Sequence, residues 1–306
     1  MSSSFLSYGD YMLNGIFTAL ATPFTTDGAI DFPALERLLQ AQLAAGVDGI
    51  VLLGTTAETP TLSADEKKQI LDFCIPRLTG RCKIVIGTGA NATAAAVENT
   101  RAVLPYKPEA VLVVTPYYNK PNPAGLIAHY KAVAAVGLPI ILYHIPGRTG
   151  LKLPDHVLAD LLNKVPQIVG IKESDYDPAH VMETAVRYNG KKAYLCGNDD
   201  LFPQYLAINA AGIISAAANV FAPAFVQIYK LFKQGHADQA FDLFAELYPH
   251  IKACYAETNP TCIKYMLSKR GFGTATVRLP LGNISPEHQQ QIDQLLPTAP
   301  ASWMIR

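Results

Sequence analysis

Lys172 closes a short apolar run, Ile168-Val169-Gly170-Ile171, that reads as a buried strand. A lysine there either reaches out to water or is held away from it. An amine held away from water is disfavoured as an ammonium, and a neutral amine attacks carbonyl carbons to form a Schiff base. The same fragment also reads as a strand cap, or as a structural ion pair with Glu173. A second run, Ile140–Tyr143, ends in a phenol and leads into His144-Ile145-Pro146-Gly147-Arg148-Thr149-Gly150. A phenol beside an amine can serve as general acid and base on a carbinolamine. Arg148 either clamps a carboxylate with two hydrogen bonds or is a solvated loop charge. His144 reads as a hydrogen-bonding scaffold residue ahead of a base.

Three further strand ends carry polar groups. Gly54-Thr55-Thr56-Ala57-Glu58 puts two adjacent hydroxyls and a turn of N–H groups after one run. Such a turn holds a carboxylate, or simply feeds the next helix. Thr115-Pro116-Tyr117-Tyr118-Asn119-Lys120-Pro121 offers a phenol for proton relay, or aromatic packing at a subunit contact. In Cys196-Gly197-Asn198-Asp199-Asp200 the paired carboxylates suggest a metal, although acids at a helix start more often act as caps. With no His-x-x-x-His, no expected clustering of His and Asp at strand ends and no P-loop, a metal hydrolase or phosphate-binding isomerase is poorly supported.

These ends need elements to carry them. Eight short apolar runs recur along the chain: Ile16–Leu20, Ile50–Leu53, Ile84–Ile86, Val111–Val114, Ile140–Tyr143, Ile168–Ile171, Ala193–Leu195 and Ile213–Ile214. Runs this apolar suit parallel strands covered on both faces. Between them lie helix signatures. Pro33 opens a stripe of Leu35, Leu38, Leu39 and Leu43 that Gly46 closes. Ser63-Ala64-Asp65-Glu66 is a capping box, Pro154 and Asp177-Pro178 mark helix starts, and Gly190 follows a helix. Strand then helix, eight times, predicts an α/β fold: a (β/α)8 TIM barrel, with an open doubly wound sheet as the alternative. Residues just past the strand ends then face the mouth where such barrels do chemistry. The expected organisation is a tail over 1–12, the barrel over 13–235 and a C-terminal helical appendage over 236–306. Helices are expected over Phe221–Gly235, Ala237–Tyr248, Ala253–Lys269 and Pro286–Leu295, with a loosely held tail from Pro297.

Bulk composition narrows the classes. The 306 residues are half apolar and 16% charged, and Lys+Arg equals Asp+Glu at 25, for a formal net charge of +0. That balance gives no electrostatic reason to expect nucleic acid or an anionic membrane as partner. The five cysteines have no C-x-x-C spacing and read as reduced thiols. Met1–Leu13 has neither a basic region nor a long apolar stretch, so no secretory signal is expected. The uncharged stretch Leu206–Tyr229 is interrupted by Asn209, Gly212, Asn219 and Pro223, and reads as helix end, strand and helix start rather than a membrane span. A cytoplasmic protein is expected.

The motifs, taken together and in order, resemble the pyruvate-dependent aldolases of the N-acetylneuraminate lyase superfamily, and within it the dihydrodipicolinate synthase branch. The matching pieces run from Thr22-Pro23-Phe24 through Gly54–Glu58, Gly87-Thr88-Gly89-Ala90-Asn91, Thr115–Asn119, Tyr143–Thr149 and Gly170–Glu173 to Gly197-Asn198-Asp199. The resemblance covers about Gly15 to Arg270. It implies that Lys172 is the Schiff-base lysine for pyruvate and Tyr143 the acid/base phenol beside it. It implies that Thr55 links Tyr143 to Tyr118 in a proton relay, with Tyr118 reaching in from a neighbouring subunit. Thr56 would bind the pyruvate carboxylate, Arg148 the carboxylate of the aldehyde, and Gly197 and Ile214 would line the pyruvate pocket. The implied reaction condenses pyruvate with L-aspartate 4-semialdehyde on the way to diaminopimelate and lysine. It needs no metal and no organic cofactor. The implied assembly is a homo-oligomer, a tetramer built as a dimer of dimers.

Four positions depart from the family pattern. Ala57 replaces a usual Gly, and would cost about 1 kcal/mol if the position needs a positive φ. His144 replaces a usual Asn. Lys67 stands where His is common and Ala95 where Glu is common, which predicts weak or absent inhibition by lysine. A sister lyase, acting on N-acetylneuraminate or a 2-keto-3-deoxy sugar acid, would share Lys172 and Tyr143. Arg148 and the second hydroxyl of Thr55-Thr56 favour instead a short aldehyde bearing a carboxylate. A non-catalytic pyruvate-binding barrel is the remaining alternative.

Overall fold

A computed structural model describes residues 13–306. The expected tail over 1–12 lies outside the described residues. Eight parallel strands form one closed barrel in chain order. They are β1 (Gly15–Ala19), β2 (Gly49–Leu52), β3 (Lys83–Gly87), β4 (Ala110–Val114), β5 (Ile140–His144), β6 (Ile168–Glu173), β7 (Ala193–Cys196) and β8 (Gly212–Ser215). Each apolar run of the sequence is thus a strand, shifted by a residue or two at its ends. The strands are continuous apolar runs because they are buried on both faces: β1, β2, β5, β7 and β8 are buried throughout. The open-sheet alternative fails because the ring closes.

The chain divides into two compact units. One comprises Val85–Asn198 and Gln204–Ile213, with residues 13–14 at the chain start. In it β4, β5, β6 and β7 pair in consecutive register, and β5 and β6 set Tyr143 opposite Lys172 and His144 opposite Glu173. The helix Pro178–Tyr188 starts where expected, with Pro178 in its first turn and the Asp177 carboxylate accepting from the Ala179 and His180 amides. Pro154 stands one residue earlier than expected, as the N-cap of helix Asp155–Lys164.

The other unit comprises Gly15–Ile84, Asp199–Pro203 and Ile214–Arg306. Helix Phe32–Ala45 is capped by Asp31 and closed by Gly46 at φ +76, the left-handed conformation that a glycine adopts without a Cβ penalty. The capping box at Ser63 and Glu66 is formed in both directions. Helix Ala218–Lys233 begins three residues before the expected Phe221, which instead marks a kink two residues ahead of Pro223. The expected helix Ala253–Lys269 is corrected. Helix Ala237–Cys254 runs on through Pro249, residues 255–260 break it, and helix Thr261–Lys269 starts after Pro260. Proline restricts the residue before it and carries no N–H, so a break at Asn259-Pro260 is the natural boundary. The tail is corrected as well. Trp303, Met304 and Ile305 are buried, and the Ile305 N–H donates to Val220 O at 3.0 Å. Three large apolar side chains tie it down.

No helix among the described residues is long and apolar enough to cross a membrane. Burial pushes the Cys74 thiol up to about 12, and raises those of Cys254 and Cys262 too, so these cysteines act as small core hydrophobes.

Candidate active site

Strand alternation builds the first half of the site. Successive side chains of β6 point to opposite faces, so Lys172 and Glu173 part company. Lys172 is 6% exposed, and its Nζ lies 4.3 Å from the centroid of the Tyr143 ring. The two residues are register partners on adjacent strands. The amine and the phenol ring therefore share one face, as the strand ends predicted. Gly197, just past β7, donates its N–H to Glu173 O at 2.7 Å. A Cβ at that glycine would meet Glu173 O at 2.8 Å and Lys172 Cε at 3.1 Å, so the absent side chain is what leaves room for the lysine stem.

The opposite face of the same strands carries Glu173, and here the ion-pair alternative for Lys172 is overturned. Glu173 is fully buried and pairs with two histidines. His144 Nδ1 lies 2.9 Å from Glu173 Oε1, while His144 Nε2 accepts from the Leu153 N–H at 3.1 Å. That acceptance places the ring proton on Nδ1, so Nδ1 donates to the carboxylate. His180 stands differently. Its Nε2 faces Glu173 Oε2 at 3.3 Å and its Nδ1 faces Asp155 Oδ1 at 2.6 Å. Two carboxylates on two nitrogens call for an imidazolium. Burial works against that charge, but Glu173 and Asp155 outweigh it and raise His180 to about 9. Burial likewise pushes the Glu173 carboxyl up, and the hydrogen bonds from His144 and His180 overcome it and hold the group at about 2. The Asp175 N–H adds a third donor at 2.8 Å. His144 is thus a scaffold residue, as expected, and ties β5 to β6.

The sequence showed no clustered His and Asp, yet His144, Asp175 and His180 bring one ligand atom each within 4.8 Å of one another. Nothing in their spacing along the chain announces it. Both nitrogens of each ring already have hydrogen-bond partners, so a cation would have to displace these contacts, although Asp175 Oδ2 itself has no hydrogen-bond partner.

Arg148 sits on the short helical turn Pro146–Thr149 after β5 and is exposed. The Tyr118 N–H donates to Thr149 O at 3.3 Å, which ties the loop after β4 to that turn. Tyr118 adopts φ +74 and is 89% exposed. A non-glycine residue at positive φ carries strain, so its outward pose is held by the fold around it.

The second unit holds Thr55, Thr56 and Ile214. Thr55 and Thr56 lie side by side in the 3-10 turn Thr55–Ala57 just beyond β2, and Ile214 is buried within β8. Thr56 Oγ1 accepts from Asn259 Nδ2 at 3.1 Å. Its own proton is left to donate elsewhere, which is what a carboxylate would need. The φ +55 residue of the turn is Glu58, with Leu53 at φ +53, so the strain anticipated at Ala57 does not arise. Glu58 is buried. It accepts from Lys264 Nζ at 2.7 Å and from the Arg278 N–H at 2.8 Å. Burial pulls the Lys264 amine down to about 8 against the pull of Glu58. The Asp199 carboxylate serves the fold through one of its oxygens. Its Oδ2 accepts from the Ala216 and Ala217 amides at 3.3 and 2.9 Å, and from the Tyr255 hydroxyl, anchoring the segment after β8.

Comparison with known proteins points one way. The model of the dihydrodipicolinate synthetase family matches residues 12–299. The chain is 38% identical over 296 residues to the 4-hydroxy-tetrahydrodipicolinate synthase of Protochlamydia amoebophila, covering 95% of this chain and 98% of that protein. The solved structure of the 4-hydroxy-tetrahydrodipicolinate synthase from Methylacidiphilum fumariolicum SolV superposes with a TM-score of 0.90 at 36% identity, covering 93% of this chain and 95% of that one. A structure described as the first monomeric dihydrodipicolinate synthase variant superposes with a TM-score of 0.90 at 32% identity, covering 94% and 96%. A match that runs almost end to end, on a barrel whose β5 and β6 set a phenol ring against a buried amine, leaves one conclusion: the chain belongs to the dihydrodipicolinate synthetase family.

Proposed function

We propose that this protein condenses pyruvate with L-aspartate 4-semialdehyde to 4-hydroxy-tetrahydrodipicolinate, in lysine and diaminopimelate biosynthesis, through a Schiff base on Lys172. One observation carries the reading: the buried Lys172 amine stands 4.3 Å from the Tyr143 ring centroid. The amine adds to C2 of pyruvate, and the C2 oxygen leaves as water. The iminium withdraws electrons, so the methyl group loses a proton and becomes an enamine carbon. That carbon bonds to the aldehyde carbon of the semialdehyde, whose oxygen takes up a proton. The amino group of the joined fragment then displaces Lys172 from C2 and closes the ring. Each proton move needs an acid/base group near C2, the role assigned to Tyr143.

The remaining roles follow the family pattern. Thr55 and Tyr118 complete the relay, Thr56 binds the pyruvate carboxylate, Arg148 receives the carboxylate of the semialdehyde, and Gly197 and Ile214 line the pocket. The exposure of Tyr118 suits a residue donated to a second copy of the chain, in a tetramer built as a dimer of dimers. The buried thiols suit the reducing cytoplasm. Mass spectrometry after pyruvate and borohydride tests the chemistry. The Lys172 peptide gains the reduced pyruvate adduct, and an unmodified Lys172 peptide from folded, pyruvate-treated protein overturns the reading. Turnover of aspartate semialdehyde, and not of N-acetylneuraminate, separates the proposed reaction from its sister lyases.

A further inference from the structure

Buried polar atoms almost always have partners, so one that lacks them beside a reactive group calls for an explanation, and a bound ligand is one. Ser174 Oγ is such an atom: it finds no hydrogen-bond partner. The residue is 4% exposed. Its N–H donates to His144 O at 2.9 Å, which carries the β5–β6 ladder one residue past the end of β6. The two-residue period then sets the Ser174 side chain on the same face as Lys172, opposite to Glu173.

Gly197 fixes the position further. A Cβ built there would lie 2.0 Å from Ser174 Oγ and 3.1 Å from Lys172 Cε, so the hydroxyl takes up space that the missing side chain frees and lies at most 5.1 Å from the lysine stem. Serine hydroxyls commonly satisfy themselves on nearby backbone. This one does not. The Gly197 N–H is already spent on Glu173 O.

We propose that Ser174 is a substrate-binding residue whose hydroxyl donates to the carboxylate of the keto acid held on Lys172, an assignment that rests on the Schiff-base reading. A carboxylate accepts only, and it persists unchanged from pyruvate through iminium and enamine. A donor to it stabilises every stage alike. Such uniform binding lowers the half-saturating concentration of pyruvate and leaves kcat almost unchanged.

The test uses the full-length protein as wild type, Ser174→Ala and Ser174→Gly. Ser174→Ala removes a buried hydroxyl with no partner in the fold and is expected to unfold at wild-type denaturant concentration or above, while Ser174→Gly, whose freer backbone costs about 0.5–1 kcal/mol, unfolds slightly earlier but is folded under assay conditions. KM for pyruvate rises about tenfold, the lower end of what a hydrogen bond to a charged group is worth, while kcat stays within about twofold. The pyruvate concentration that half-saturates borohydride trapping on Lys172 rises in parallel. Wild-type KM and trapping in both folded variants overturns the role of Ser174 and leaves Lys172 standing. A loss of kcat with unchanged KM overturns it as well. Failure of the wild type to be trapped overturns the Schiff-base reading itself.

Discussion

Raising the pH past 9 should remove one specific source of stability from this protein. His180 is pinned between Glu173 and Asp155 and held at about 9, against 6.5 for an ordinary imidazole. A group whose pKa is raised by folding stabilises fully below its unfolded value, and the contribution disappears as pH climbs through the folded one. The window is therefore about pH 6.5 to 9. A shift of that size corresponds to at most about 3 kcal/mol, at 1.36 kcal/mol per unit. Glu173 reports the same contact from the other side: held at about 2 against 4.5, it loses its contribution as pH falls through the acid range. The two figures share the Glu173–His180 contact, with His144 also holding Glu173 down and Asp155 also raising His180, so they are not added. Urea unfolding of wild type and His180→Gln at pH 6.5 and pH 9.5 isolates the effect. Lys264, pulled down to about 8, acts in the opposite sense, because burial penalises its charged form. It is common to both proteins and cancels in the comparison. Wild type should lose up to about 3 kcal/mol more than His180→Gln over that interval. Parallel pH profiles would show that the imidazolium is not what Glu173 and Asp155 hold.

Two further outcomes follow from the second unit and from the family comparison. Lys264→Met strands the buried Glu58 carboxylate beside the Thr55-Thr56 turn and should cost about 3–5 kcal/mol in urea unfolding, with much of the loss recovered by adding Glu58→Gln; a cost below about 1 kcal/mol refutes the buried pair as an anchor. Lysine should inhibit weakly or not at all, the expectation set by Ala95 where the family pattern commonly has Glu and Lys67 where it commonly has His; half-inhibition at sub-millimolar lysine refutes this, and Ala95→Glu should raise the sensitivity.

What could be read from the residues is what depends on local periodicity. A parallel strand buried on both faces must be apolar along its whole length, so β1 to β8 announced themselves as unbroken runs, and their order and spacing pointed to a closed barrel. Caps are equally local: Ser63 with Glu66, and Asp177 with Pro178, each fall within one turn. What stayed hidden are polar contacts between residues that only the fold brings together. Glu58 and Lys264 are 206 positions apart, Thr56 and Asn259 are 203 apart, and Asp199 meets Tyr255 across 56. No period links such partners, and each residue alone looks like an ordinary turn or surface group. The tail from Pro297 misled for a related reason. Prolines and alanines around it suggest slack chain, and only the packed structure shows that Trp303 and Ile305 are buried.

The case of Glu173 lies between these extremes. Alternation alone excludes an ion pair between Lys172 and Glu173 along one strand, since neighbours in a strand cannot share a face. What alternation cannot supply is the destination of the rejected carboxylate. The β5–β6 register supplies it, because the same one-to-one pairing that sets Tyr143 opposite Lys172 sets His144 opposite Glu173. A slip of one residue would turn every one of these side chains to the wrong face. The His144–Glu173 bond on one side therefore helps to hold the register on which the amine and the phenol depend on the other. Loss of the carboxylate in Glu173→Gln should then disturb Lys172 chemistry even though Glu173 itself never faces the substrate.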